Sequence, residues 1–417
     1  MGLFDRLRGD DDPRVVFLGI DGVPYDLIDD HPDVFEHLHR IADAGTAGRI
    51  DSIVPPESSA CWPSLTTGVN PGETGVYGFQ DREVGSDETY VPMGSHVRAT
   101  RVWDRVTSAG RDATVLNVPV TFPPEESVQR MVSGFLSPSV EAASSDASVQ
   151  ATLESHDYRI DADAKLGHDD DKSAFLENAH ETLDARYETF SHYLAEDDWD
   201  LFFGVFMTTD RVNHFLFGDY ANDTDDAAGF LEFYRALDEY VGRIYDSLPD
   251  DVSLVIASDH GFTELRHEVH CNAWLAEEGY LTYDTDEPES LADLGADTEV
   301  FSLIPGRFFV NLEGREANGS VSEGEYETVR DRLVDDLTAL TGPDGDPVCA
   351  DVYLGEDVFD GPAAHIAPDV VAVPADGFDL NAGFSGSKPL FGEGPRNGMH
   401  NFFNPTLAPV DYRIPVH

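Results

Sequence analysis

The sequence predicts an α/β protein: a mainly parallel sheet with helices on both faces and an inserted cap subdomain. Three observations point there. Short apolar runs at Val15–Ile20, Leu201–Met207 and Val252–Ala257 have the length and near-continuous hydrophobicity of strands buried on both faces. They alternate with amphipathic helical patterns. The clearest is Ser173–Leu194, where Leu176, Ala179, Leu183, Tyr187, Phe190 and Leu194 form one stripe. Each apolar run also leads into polar residues: Asp21; Asp210 and His214 in MTTDRVNHF; and Asp259 and His260 in ASDHGF. The carboxyl ends of strands are where open α/β sheets gather their ligands.

In chain order, Val15–Ile20 reads as a strand and His31–Ala44 as a short helix, with Val34, Phe35, Leu38 and Ile41 at helical spacing. Gly48–Val54 reads as a second strand. The stretch PPESSACWPSLTTGVNPGETG that follows reads as a loop, one or two helical turns and another loop rich in Gly and Pro. A short helix is expected from Trp103 to Gly110 and a third strand at Ala113–Val118, while 142–171 is polar and irregular in part. Helix Phe230–Leu248 precedes strand Val252–Ala257. From Arg266 to Ile366 strands shorten and turns multiply around one helix near Tyr326–Leu340, the pattern of an insert. A core-like run resumes in APDVVAVP, with a strand at Asp369–Val373 before a glycine-rich loop and NGMH. The expected organisation is therefore residues 1–265 as the first part of the core, 266–366 as the cap, and 367–417 as the return to the core.

Acids number 81 against 26 bases, a net charge of −55, and only Lys165, Lys172 and Lys388 are lysines. Self-repulsion on this scale is screened within about 3 Å at 1 M salt. A halophilic, salt-rich cytoplasm is the expected setting. Such a surface argues against nucleic acid and against stable association with anionic membranes. A phosphate substrate would need local positive charge, most simply a metal ion. Three widely spaced cysteines, Cys61, Cys271 and Cys349, suggest neither a disulfide framework nor a thiolate metal site. No stretch reaches 18 apolar residues. The start, MGLFDRLRGDDD, lacks an apolar signal core, so a frayed terminus and a cytoplasmic location are expected.

The candidate chemistry lies in Asp21, the Ser58–Ser59 pair, Asp210 with His214, Asp259 with His260, and His400. Asp210 and His214 share a helix face at a spacing of four. Carboxylate with imidazole suits Zn²⁺ or Mn²⁺. Asp21, Asp259 and His260 would form one metal site and Asp210, His214 and His400 another; two metals about 4 Å apart clamp an in-line phosphoryl displacement. Ser58 precedes a short helix whose N-terminus favours an anion, though on position alone Ser58 or Ser59 reads first as a plain N-cap. A lone Asp after a strand also reads as a turn residue. His267 and His270 read as surface or substrate-side residues.

At these residues the chain resembles the alkaline phosphatase superfamily, and within it the type I phosphodiesterase/nucleotide pyrophosphatase branch. The pieces GIDG, ESSACWPSLTTGVNPGETG, NVPVTFPPE, TTDRVNHF, ASDHGF, APDVVAVPADGFDL and NGMH stand in the family's order from Val15 to His400. The resemblance implies a metal-dependent hydrolase of small phosphate esters, phosphodiester or pyrophosphate bonds first, acting through a phosphoserine. Phosphomonoesterase or phosphomutase activity on the same core, and an inactive binding protein with a relic site, are the alternatives. The family's nucleophile lies ten residues before the glycine of its TG pair, which here is Ser58. Two divalent ions, Zn or Mn, are implied: one held by Asp21, Ser58, Asp259 and His260, the other by Asp210, His214 and His400. The chain departs from the family where Cys61 replaces an Asn that helps hold phosphate and where Thr74 replaces a common His. CWPSL is similar to the sulfatase C-x-P-S-R pattern, but Leu65 replaces the Arg.

Overall fold

The computed structural model describes residues 14–196, 198–384 and 388–402, and the backbone of 406–408. The expected frayed start, GLFDRL, lies outside the described residues. A seven-stranded sheet forms the centre. In chain order its strands are β1 (Arg14–Ile20), β2 (Gly48–Arg49), β3 (Ala113–Val118), β4 (Arg130–Ser133), β5 (Leu201–Phe206), β6 (Val252–Ala257) and β7 (Thr406–Ala408), arranged as β2-β7-β6-β1-β5-β3-β4. The five strands β6-β1-β5-β3-β4 are parallel, and β7 pairs antiparallel with β6 and β2 at one edge.

The alternation of side chains in β1 shows why its sequence is apolar throughout. Val16, Leu18 and Ile20 join the apolar cluster on one face, under helices α1 (Glu36–Ala44), α3 (Ser173–Glu196), α4 (Thr208–Ala221) and α5 (Ala227–Ser247). Phe17 turns to the other face, where Trp62 of helix α2 (Ser58–Thr67), Trp103, Val115 and Phe203 pack. A Cβ on Gly19 would stand 2.3 Å from the Trp62 ring, so only glycine lets α2 lie this close to the sheet. The α3 stripe faces the core as its periodicity predicts, with Ala179, Leu183 and Phe190 buried and Leu176, Tyr187 and Leu194 half-buried against it. Arg186 lies on the buried face, fully enclosed, and donates to the carbonyls of Val205, Arg159 and Ile160.

Two further four-stranded sheets stand beside the main one. Val300–Leu303, Arg307–Val310, Val370–Pro374 and Cys349–Leu354 form an antiparallel sheet covered by α6 (Tyr326–Ala339). The long strand Gly261–His270 pairs with Gly377–Asn381, Phe391–Gly392 and Gly398–Asn401.

Several sequence expectations need correction. The strand foreseen at Asp369–Val373 as the return to the core is Val370–Pro374, and it lies inside the second sheet. Being flanked on both sides and buried, it carries the continuous apolar run of a core strand. The boundary foreseen at Arg266 falls within strand Gly261–His270. Gly48–Val54 keeps strand pairing only at Gly48–Arg49, before the chain turns into Pro55–Pro56, which have no N–H to give. The stretch 142–171 is irregular in part, as expected, around a helix at Ala147–Ser155. The helix foreseen from His31 begins at Glu36. Its cap comes from another helix: the Asp238 carboxylate of α5 accepts the N–H groups of His37 and Leu38, both at 2.8 Å. No helix among the described residues is long and apolar enough to cross a membrane.

Asp238→Ala leaves two N–H groups at the start of α1 without an acceptor. A loss of about 1–3 kcal/mol is expected in denaturant titrations, with Asp238→Asn losing less. Equal stability of wild type and Asp238→Ala would remove this cap from the account.

Candidate active site

Strand register decides which side chains meet. Ile20 pairs with Phe206 and Gly19 with Ala257, so β1, β5 and β6 stop at one edge. The residues just past that edge are Asp21, Met207 and Ser258–Asp259. Helix α4 starts immediately after β5, so Asp210 stands in its first turn and His214 one turn further. Past His260 the chain enters strand Gly261–His270, on which Gly398–Asn401 pairs with His400 opposite Phe262. His260 and His400 thereby lie side by side, ring centroids 4.0 Å apart and the rings tilted by 35°.

The nucleophile candidate sits where these ends converge. Ser58 is the first residue of α2 and is buried. Its Oγ lies 3.3 Å from Asp21 Oδ1 and 3.0 Å from His260 Nε2. Ser59 instead stands beside the carboxyl of Glu57, the N-cap residue of α2. The other oxygen of Asp21, Oδ2, accepts the Trp62 indole N–H at 2.7 Å. Asp259 Oδ1 accepts the Gly22 N–H at 3.2 Å, and its Oδ2 lies 3.4 Å from His260 Nε2. On the other side, Asp210 Oδ1 is 3.5 Å from His214 Nε2 and 3.3 Å from His400 Nε2, and the two imidazole nitrogens are 3.2 Å apart.

The residues expected to act together are thus brought together, with one difference in grouping. Ligand atoms within 4.8 Å of one another form two sets, Asp21–Asp259–His260 and Asp210–His260–His400. His260 therefore stands between both sets, while His214 joins the second through His400 and Asp210.

Burial sets the electrostatics. It pushes the Asp21 carboxyl well above the usual carboxylate range, helped by the charges of Asp259 and Asp210. Asp259 is pushed up to about 8, again chiefly by burial. Burial lowers His260 to about 4 and holds His214 well below an ordinary imidazole. A divalent cation would favour the ionised carboxylates and take the neutral imidazoles as ligands. The hydrogen bonds fit that cation. His260 Nδ1 faces the Gly261 carbonyl at 3.0 Å and His214 Nδ1 the Gly398 carbonyl at 3.1 Å. A carbonyl partner requires the proton on Nδ1, which leaves each Nε2 lone pair aimed at the carboxylates. Among the described residues, the buried atoms Asp210 Oδ1 and Asp259 Oδ2 make no hydrogen bond. Two carboxylate oxygens without donors, facing imidazole lone pairs, form a donor set that could hold a divalent cation.

Other residues singled out in the sequence lie elsewhere. Cys61 Sγ turns to Ser52 Oγ at 3.3 Å, and burial holds its thiol well above the ordinary value, the opposite of an activated sulfur. Thr74 is buried and accepts the Val76 N–H. His270 packs against the Pro389 carbonyl, and His267 against Phe378 and Phe391.

A cavity of about 300 Å³ opens beside Ser58. Asp210, His214 and His400 line it, with Phe79, Phe135 and the Ile304–Pro305 turn of the second sheet. Sequence reasoning missed five of its polar residues, Glu57, Arg211, Asp379, Asn381 and Arg396, and missed Trp62 as the donor to Asp21. Arg211 had a readable signal, standing directly after Asp210 in a chain almost without lysine. Glu57 and Arg396 had none.

No curated protein matches the sequence. Among solved structures, phosphonoacetate hydrolase from Sinorhizobium meliloti 1021 is similar, with a TM-score of 0.63 and 15% identity over 97% of this chain and 92% of that one. Murine ectonucleotide pyrophosphatase/phosphodiesterase 5 is similar with a TM-score of 0.54 and 15% identity, covering 95% and 87% of the two chains. Its human counterpart gives 0.53 and 14%, covering 96% and 90%. At these identities the likeness shows the shared alkaline phosphatase-like α/β fold. The family assignment comes from the sequence itself, whose residues 15–402 match the family model for type I phosphodiesterase/nucleotide pyrophosphatase. That span runs from the strand before Asp21 to just past His400, and on it the chain belongs to the type I phosphodiesterase/nucleotide pyrophosphatase family of phosphohydrolases.

Proposed function

We propose that this phosphohydrolase cleaves small phosphodiester or pyrophosphate bonds through a phosphoserine on Ser58, with two divalent ions, Zn or Mn, at the edge of the sheet. The observation that carries the reading is Ser58 Oγ at the start of a helix, 3.3 Å from Asp21 and 3.0 Å from His260. Asp21, Ser58, Asp259 and His260 would hold one ion, and Asp210, His214 and His400 the other. The ions would supply positive charge to the phosphoryl oxygens and ease ionisation of the serine hydroxyl. Ser58 Oγ then forms a bond to phosphorus in line as the ester P–O bond breaks, and water hydrolyses the phosphoserine. The helix N-terminus at Ser58 favours the accumulating negative charge. Structures of the similar proteins hold phosphonoacetate and AMP, which supports a small substrate here as well.

The first experiment compares a nitrophenyl phosphodiester, the matching monoester and the sulfate ester in molar KCl with Zn²⁺ or Mn²⁺. The diester is expected to be preferred and the sulfate ester untouched. Preference for the monoester would move the assignment to a phosphatase or mutase. Ser58→Ala is expected to lose about 10³-fold or more in kcat and to yield no acid-stable phosphoprotein on quenching. Retained activity in that variant would refute the nucleophile. Stripping with a chelator should abolish turnover and lower Tm, since Asp21, Asp210 and Asp259 would then share one buried pocket without a counter-charge. An unchanged Tm and metal content would count against the ligand set.

A further inference from the structure

Two arginines line the cavity beside Ser58, and no step above uses them. Arg211 donates from Nε to Asp161 at 2.8 Å and from Nη1 to Asp210 at 3.3 Å, and its guanidinium lies over the Phe135 ring at 4.6 Å. Arg396 donates from Nη2 to Glu268 at 3.1 Å and to Asp379 at 2.5 Å, while its Nη1 touches only the Met399 sulfur at 3.9 Å.

Two core arginines, Arg82 and Arg307, differ from this pair in leaving no nitrogen unused. Arg82 spends every donor: Nε and Nη2 on Glu316, and Nη1 on the Ile366 carbonyl. Arg307 does the same with Asp81 and the carbonyls of Gln80 and Ile304. Their side chains are 2% and 0% exposed. Arg211 and Arg396 are 15% and 27% exposed, and among the described residues Nη2 of Arg211 and Nε of Arg396 have no partner. Carboxylates thus fix each guanidinium, with Asp210 and Asp379 among them lining the cavity as well, while each arginine keeps one nitrogen without a partner. That is a preorganised anion receptor, and the planar fork of arginine matches carboxylate or phosphate oxygens. The cavity volume, about 300 Å³, is at the lower end of ligand sites, which span roughly 300–1,000 Å³.

We propose that Arg211 and Arg396 form an anion subsite beside Ser58, and that the substrate is a small phosphate ester bearing a second anionic group, a carboxylate or a further phosphate. The inference rests on the phosphoester reading of the site. The size of the cavity favours a compact ester, with the second anion only a few atoms from the phosphorus. Both arginines are already neutralised by neighbouring acids, so the subsite works through directed N–H donors more than through net charge.

The test uses the metal-loaded full chain and two diesters with the same leaving group, 4-nitrophenyl carboxymethyl phosphate and its uncharged carboxamide counterpart. A monoester pair, phosphoglycolate and its carboxamide, covers the other ester class. The wild type is expected to favour the carboxylate ester at least tenfold in kcat/KM. Arg396→Gln and Arg211→Gln should each bring that ratio towards one, and Arg396→Lys should keep part of it. Because the readout is a ratio, a uniform loss from a disturbed site cancels. A wild-type ratio near one, or a ratio unchanged in both glutamine variants, overturns the subsite while leaving phosphoester hydrolysis standing. Failure to cleave any ester in either pair, and the nitrophenyl esters as well, overturns the phosphoester reading and the subsite with it.

Discussion

Three carboxylates, those of Asp21, Asp210 and Asp259, are forced into one buried pocket by the shared end-point of three parallel strands. Backbone register makes that arrangement rigid, since a slip of one residue in β1 would turn Asp21 to the other face. Much of the local structure can be read as a response to the crowding. The Trp62 and Gly22 N–H groups each take one carboxylate oxygen. The Gly261 and Gly398 carbonyls set both imidazoles so that lone pairs face inward. Arg211 takes a further oxygen of Asp210. What these contacts leave over is negative charge concentrated at one point, which suits a metal-dependent family.

The fold was legible wherever burial alone shapes the sequence. Ala113–Val118 and Val252–Ala257 are strands to the residue, because a central strand covered on both faces is mostly apolar along its length. Legibility failed where a distant residue makes the decision. The start of α1 depends on Asp238, some two hundred positions away. Val370–Pro374 has the composition of a core strand but belongs to a second sheet, and composition does not record pairing partners. Arg186 occupies a buried stripe where periodicity expects an apolar residue, because three carbonyls take its donors.

The candidate site was more legible than its surroundings. Asp21, Asp259 and His260 stand at the ends of buried strands, Asp210 and His214 lie on the helix that opens just after one, and Ser58 opens the short helix read from its loop. The place of His260 between the two sets was not readable, since it depends on how strand Gly261–His270 leaves the sheet. The cavity wall was not readable either. It is assembled from Phe79, Phe135, Ile304 and Arg396, four positions in unrelated segments. Arg307 fastens that wall by clasping Asp81 and the Gln80 carbonyl, which ties the Ile304–Pro305 turn to the loop after α2.

His400 enters the site on Gly398–Asn401, a strand whose only ladder partner among the described residues is Gly261–Glu264. Every other member of the cluster precedes it in the chain, most by well over a hundred positions. During synthesis from the N-terminus, the ribosome therefore releases Asp21, Ser58, Asp210, His214, Asp259 and His260 before the strand that completes them exists. Contacts of such long sequence separation form late in folding. A nascent chain thus holds the other candidate groups before His400 is made, and the full set assembles only when the late strand Gly398–Asn401 pairs with Gly261–Glu264.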